Sequence, residues 1–306
     1  MAEPTEAATE APEAEARKAR PGRAKTAKAA RAPKAKPEGA AKGVALKPGH
    51  VHVYSLEGDA IKTVELPPVF RSEVRVDLIR RAVTAFQANR RQAYGPAATS
   101  GMRHSVRWSG KGHGVSRVPR IRGTMTGAQA PGTVGGRRAH PPRPDAIWSK
   151  KLNDNERRLA RNAALAALKE STIVRERGHR FRQALSLPVI VEDRLESVEI
   201  EDGAVRKGME ILERLGLLAD VERAKSGIHI RAGRGKMRGR RYRTPTSLLL
   251  VVKEAAKVRR AFGNLPGVDV VSPAGLDAEV LAPGGDPGRL TMFSEGALEV
   301  LRSWRT

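Results

Sequence analysis

No acidic residue occurs between Asp77 and Asp145, a span of 67 residues that carries 13 Lys or Arg. A one-sign stretch repels itself, so such a span either stays disordered or meets a strongly anionic partner. Cysteine is absent from the whole chain, which excludes disulfides, thiolate nucleophiles and Cys-based zinc sites and fits an intracellular setting. Aromatic residues make up only 4 %, so any core must be built from Leu, Val, Ile and Ala. No apolar run approaches the ~18 residues of a membrane-spanning helix; Leu248 to Val252 has the length of a buried strand. The N-terminus has no uninterrupted apolar segment and six Glu fall in the first 50 residues, so neither a secretory signal nor a transit peptide is expected.

What is present agrees with what is missing. The 306 residues carry a formal net charge of +24. Release of condensed counterions is the usual reward for such a balance, which places nucleic acid first and an anionic membrane surface second. The first 50 residues hold 16 Ala, 6 Pro and 11 Lys or Arg. Their apolar content cannot offset chain entropy, so residues 1 to 47 read as a disordered tail.

Folded sequence is expected from about residue 48 to 306. Val51 to Tyr54 and Ile61 to Leu66 flank Gly58-Asp59, a strand–turn–strand signal. Ile79, Ala82, Val83 and Phe86 mark one face of a helix over Val74 to Arg90, with Arg80 and Arg81 on its wet side. Periodicity then stops, and Gly, Pro, Arg and His dominate to Pro144. It resumes at Asn153, where Glu156 three residues on makes a capping-box-like start. Leu159, Ala163, Ala166 and Ala167 form the expected inner face of this helix, with Arg157, Arg158 and Arg161 outward. Strands are then expected at Leu187 to Val191, Ile228 to Ile230, Leu248 to Val252, Val268 to Val271 and Arg289 to Phe293. Helices fall at Val205 to Leu215, Glu254 to Phe262 and Glu295 to Trp304. The rhythm predicts an α/β fold: a mostly parallel sheet with helices on both faces, interrupted by one long extended basic loop at 91–146. Long loops without secondary structure are tolerated when functional or disordered, and the charge pattern favours function.

Enzyme signatures fall short. Gly110-Lys111 has Ser105 where a phosphate loop needs its first glycine and Gly112 where it needs a hydroxyl. The glycines of Gly233 to Gly239 are misplaced for a dinucleotide fingerprint. The seven His are scattered without metal-ligand spacing. The basic loop, by contrast, has binding chemistry. Ten of the 13 bases lie beyond Arg90, and nine of those ten are Arg, whose planar fork matches phosphate. Trp108, His104, His113 and His140 can stack on splayed bases. A second patch, Gly233 to Arg243, places six Lys or Arg in eleven residues beside Tyr242. Two glycine-laced basic segments fit irregular or single-stranded RNA better than duplex DNA, which is usually read by one helix or ribbon. The expected RNA-binding set is Arg91, Arg103, Arg107, Trp108, Lys111, His113, Arg117, Arg120, Arg122, Arg137, Arg138, His140, Arg143 and Lys150. The second patch adds Arg231, Arg234, Lys236, Arg238, Arg240, Arg241, Tyr242 and Arg243. The competing reading of the loop is a free, solvated basic segment.

The motifs QAPGTVGGRRAHPP (Gln129 to Pro142), ERRLARNAALAAL (Glu156 to Leu168), LPVIVED (Leu187 to Asp193) and GRGKMRGRRYR (Gly233 to Arg243) carry a resemblance. In order and spacing they resemble the ribosomal large-subunit protein 4 family, archaeal and eukaryotic branch, over residues 50 to 306. The resemblance implies a non-enzymatic constituent of the large ribosomal subunit in the cytoplasm, without cofactor, metal or membrane, and without self-association. It implies binding to large-subunit rRNA, a role in early assembly, and a loop that reaches the peptide exit tunnel near ribosomal large-subunit protein 22. The matching positions are Arg91 to Pro144, with the tip within Gly101 to Arg138. It implies nothing about residues 1 to 47. An extra-ribosomal regulator of an mRNA would use the same surfaces, and a nucleotide-dependent enzyme would use the ends of the sheet strands.

Overall fold

The computed structural model describes residues 47–197 and 204–304. The expected tail lies outside the described residues, apart from Lys47. Two strands, β1 (His50–Tyr54) and β2 (Ala60–Glu65), open the chain as an antiparallel hairpin. Four further strands, β3 (Val189–Val191), β4 (Leu249–Val251), β5 (Asp269–Val271) and β6 (Thr291–Ser294), complete one sheet in the order β5-β4-β6-β3-β1-β2. All neighbours are parallel except β1 and β2.

Strands buried on both faces read as continuous apolar runs, and alternate residues serve opposite layers. Leu249 and Val251 point with Val53, Ile190 and Phe293 into one cluster. It is closed by α1 (Val76–Asn89), α2 (Asp154–Ala167) and α9 (Glu295–Arg302), through Ile79, Leu165 and Leu298. Leu248, Leu250 and Val252 point with Val189, Val191 and Met292 into the other cluster. There they meet Leu212 of α5 (Ala204–Arg214), Val221 of α6 (Leu218–Ser226) and Val258 of α7 (Ala255–Phe262). Each such side chain, fully buried, contributes roughly 2 kcal/mol. Three short helices, α3 (Ser171–Glu176), α4 (Arg194–Ser197) and α8 (Ala278–Leu281), fill connections.

Several details differ from the sequence reading. Ala163, Ala166 and Ala167 are buried as expected, but Leu159 is half exposed, and Ala160, Asn162, Ala164 and Leu165 complete the buried face of α2. Small side chains decide this: Ala160 packs with Ala82 of α1 and Ala278 of α8, and alanine faces let helix axes approach closely. Arg161 does not face out. It is half-buried with its guanidinium 3.7 Å over the Trp304 ring, and desolvation lowers its pKa. Asn153 caps α2 by accepting from Asn155 N at 3.2 Å, while Glu156 pairs with Arg81 at 3.2 Å instead of closing a capping box. The strand expected at Ile228 to Ile230 is outside the main sheet: His229–Ile230 pairs only with Tyr242–Arg243. Ile228, His229, Ile230 and Arg231 are all exposed, so neither face of this short strand is covered by the core. Helices α3, α4, α6 and α8 have no counterpart in the sequence reading.

Two hydrogen-bonded networks hold several of the buried polar groups. Arg289, 1 % exposed, donates to the carbonyls of Ser247 (3.0 Å) and Val280 (2.9 Å) and to Asp269 Oδ2 at 2.6 Å. Burial lowers its pKa, and the Asp269 carboxylate opposes that shift. Asp220 is fully buried on α6. It accepts from Arg180 N (3.0 Å), Arg223 Nε (2.9 Å) and Ser247 Oγ (2.8 Å), and His179 Nδ1 lies 3.0 Å away. Burial alone would raise its pKa, but the His179 and Arg223 hydrogen bonds outweigh burial and hold it well below the usual carboxylate range.

Candidate nucleic-acid interface

The acid-free segment leaves the end of α1 and returns before α2, so both its ends are anchored on packed helices. At its foot the Arg91 guanidinium sits 3.8 Å over the Trp148 ring, and Lys150 N donates to Asn89 Oδ1 at 2.8 Å. Further out the two limbs run against each other. A Cβ at Gly95 would lie 2.6 Å from Pro142 O, and one at Gly101 would lie 2.7 Å from Arg137 Cα. Glycine is required at both points for the limbs to approach.

The outer part of this arm has pairing of its own. Val106–Arg107 pairs antiparallel with Arg120–Ile121, and Ala128–Gln129 pairs in parallel with Gly135–Gly136. Pro119 and Ala128 are buried, and Ala128 N donates to Pro119 O at 2.9 Å. The expectation that this span has no internal order is therefore replaced by a doubled stem, a small knot and a distal hairpin.

Most expected site residues of the arm are exposed: Arg91, Arg103, Arg107, Trp108, Lys111, His113, Arg117, Arg122, Arg138, His140, Arg143 and Lys150. Arg137 is half-buried between the limbs. Arg120 is turned inward, donating to Met125 O and, at 3.5 Å, to Ser116 O. It braces the arm more than it projects from it. Within the second patch the antiparallel pair His229–Ile230 and Tyr242–Arg243 makes a finger, bent by the single 3-10 turn Arg234–Met237. Arg231, Arg234, Lys236, Arg238, Arg240, Arg241, Tyr242 and Arg243 are all exposed on it.

Two observations separate the projections from the scaffold. Fourteen ion pairs occur among the described residues, and none involves a base of the arm (91–150) or finger (228–243). Several scaffold arginines are neutralised at home: Arg80 by Asp286 at 3.1 Å, Arg81 by Glu156, Arg90 by Glu279. Exposed apolar groups follow the same division. Of fourteen large ones among the described residues, seven lie on the arm and four on the finger, including Tyr94, Trp108, Val134 and Tyr242. Unneutralised cations interleaved with flat, exposed rings provide both phosphate contacts and stacking surfaces. Sequence reasoning missed Tyr94 and Trp148 as candidates. It also missed Gln129, which no charge or motif marks.

The sheet ends offer no comparable site. In doubly wound folds, ligands sit beyond the carboxyl ends of the strands, with phosphates at helix N-termini. Here Glu196 accepts from Lys253 N (2.7 Å), Glu254 N (3.2 Å) and Ser294 Oγ (2.6 Å), and Asp193 accepts from Gly296 N at 2.6 Å. The starts of α7 and α9 are thus closed by the chain's own carboxylates, which would repel a phosphate. His179, Asp220 and Ser247 are not arranged as a triad, because Ser247 donates to the carboxylate and not to the imidazole. Among the described residues no three His, Asp or Glu side chains could hold a metal ion, and no helix is long and apolar enough to cross a membrane.

The protein is thus an α/β scaffold bearing two cationic projections whose bases make no ion pair among the described residues. Residues 64–304 match the model of the ribosomal protein L4/L1 family, and the chain belongs to that family. It is similar to the large ribosomal subunit protein uL4 of Methanopyrus kandleri, 49 % identical over 254 residues, covering 81 % of this chain and 96 % of that protein. Similar proteins of the same name occur in Thermoplasma acidophilum, 44 % identical over 252 residues (82 % and 97 % covered), and Archaeoglobus fulgidus, 46 % over 252 (82 % and 98 %).

Proposed function

We propose that the arm and finger of this structural, large-subunit ribosomal protein bind large-subunit rRNA, that binding occurs early in subunit assembly, and that the arm lines the peptide exit tunnel. The observation that carries the reading is the missing counter-charge. Many bases of the scaffold have carboxylate partners, whereas those of arm and finger have none among the described residues and await an external polyanion. On RNA the arginines displace condensed counterions, and exposed rings such as Trp108 and Tyr242 stack on bases. A thin, doubled stem suits an arm that enters a crevice of folded RNA, since only its foot is fixed by the scaffold. The distal hairpin is the part that reaches the tunnel, and neighbouring large-subunit proteins, protein 22 among them, meet it there. Domain organisation follows: residues 48–306 act as one α/β unit, with 91–146 as its RNA-binding insertion.

Sedimentation of tagged protein with large subunits, followed by RNA crosslink mapping, tests the reading directly. For the isolated protein on rRNA, contact with six to ten phosphates gives a slope of log affinity against log salt of roughly −4 to −9. A slope near −1 refutes phosphate capture.

A further inference from the structure

We propose that Gln129 is the positioning residue of the arm, the side chain that ties its limbs together where the distal hairpin leaves the stem. Among the described residues it is the one non-glycine with a left-handed backbone, at φ 63°. Side chains other than Asn, Asp and His seldom adopt this region, so the surroundings must hold it there. The side chain itself does so. Its Nε2 donates to Met102 O at 2.9 Å and to His104 O at 2.6 Å, on the opposite limb. An amide nitrogen carries two hydrogens, so one Gln satisfies both carbonyls.

The tie sits at a junction of three passes of the chain. Gln129 pairs through its backbone with Gly135–Gly136, and its neighbour Ala128 is fully buried, donating to Pro119 O at 2.9 Å. Arg103 lies between the two tied carbonyls, so its direction is set by the same contact. The hairpin of Val106–Arg107 with Arg120–Ile121 begins just beyond, carrying Arg107 and Trp108. Without the tie, the hairpin would swing on the stem and each phosphate contact would have to order it anew. This inference rests on the reading of the arm as RNA-binding, but its structural half stands separately.

The experiment uses the full chain with Gln129→Met, which keeps length and charge but donates nothing, and Gln129→Gly, which also relieves the left-handed backbone. Hydrogen exchange of the Ala128 and Ile121 amides in the free protein is measured alongside affinity for a large-subunit rRNA transcript across salt. Two lost hydrogen bonds predict roughly tenfold faster exchange and roughly tenfold weaker binding in both variants. The salt slope should be unchanged, because the number of bases is the same. Scaffold amides, which make no contact with Gln129, report that the fold is intact. Wild-type exchange and affinity in Gln129→Met overturn the proposal. So does wild-type behaviour of Gln129→Gly alone, which would make backbone strain, and not the tie, the cause. If the wild-type protein itself lacks a steep salt slope, the RNA reading fails while the exchange data still judge the tie.

Discussion

Arg91 and Trp148 stack at the foot of the arm, 3.8 Å from guanidinium carbon to ring centroid. One residue follows α1 and the other precedes α2, so each limb is held by the other before either reaches the scaffold. Half-exposed cation–π pairs are worth about 1 kcal/mol. Trp148→Ala should therefore weaken rRNA binding roughly fivefold while leaving the melting temperature of the scaffold unchanged. A filter-binding titration beside a thermal melt checks both, and a large drop in melting temperature would assign Trp148 to the core instead.

Neutralised and free arginines should separate in a salt titration. Replacing Arg238, Arg240 and Arg241 of the finger by Ala removes three cations with no carboxylate partner among the ion pairs above, and should flatten the log–log slope by roughly 2 to 3. Replacing Arg80 and Arg81, which pair with Asp286 and Glu156, should leave the slope as it was. Equal effects from the two sets would remove the distinction on which the interface is drawn.

Asp220 predicts a defined acid response. Its folded pKa is depressed by His179 and Arg223 against the opposing effect of burial. A depressed carboxylate contributes stability that is complete above its unfolded pKa of about 4 and is lost as pH falls through the folded value. Urea midpoints should thus fall steeply below about pH 4 in the wild type. Asp220→Asn should be less stable by about 3 kcal/mol at pH 7, with a flatter acid limb, because a buried acceptor serving several donors is lost. Identical acid limbs in the two proteins would show that the carboxylate is not what titrates.

Trypsin gives a fourth check. Arg117 and Arg122 are exposed on the distal part of the arm, so the free protein should be cut readily there. Inside the large subunit the same bonds should be protected. Equal cleavage in both states would mean that the arm lies outside the particle.

Much of the scaffold was legible in the chain because burial on two sides leaves a simple mark. Leu248 to Val252 and Val189 to Val191 are unbroken apolar runs, and only a strand covered on both faces tolerates them. The arm was legible for the opposite reason, since a span without Asp or Glu cannot neutralise itself. Legibility failed where packing, not composition, decides. Leu159 fits the apolar face of α2 by spacing, yet the alanines at 160, 163 and 164 are what meet the core. The buried Asp220 looks like one more charge on a surface helix. Its role depends on His179, 41 residues away, and on Ser247, 27 residues away.

By itself the sequence determined the α/β alternation, the one-sign arm and finger, and the family motifs, all of which depend on residue type and local spacing. Only the tertiary structure decided the order β5-β4-β6-β3-β1-β2, the closure of the strand ends by Glu196 and Asp193, and which arginines are neutralised. It also revealed that Gln129 ties the arm to itself. The physical reason is the same in each case: hydrogen bonds and ion pairs between distant residues depend on three-dimensional proximity, which local periodicity does not encode.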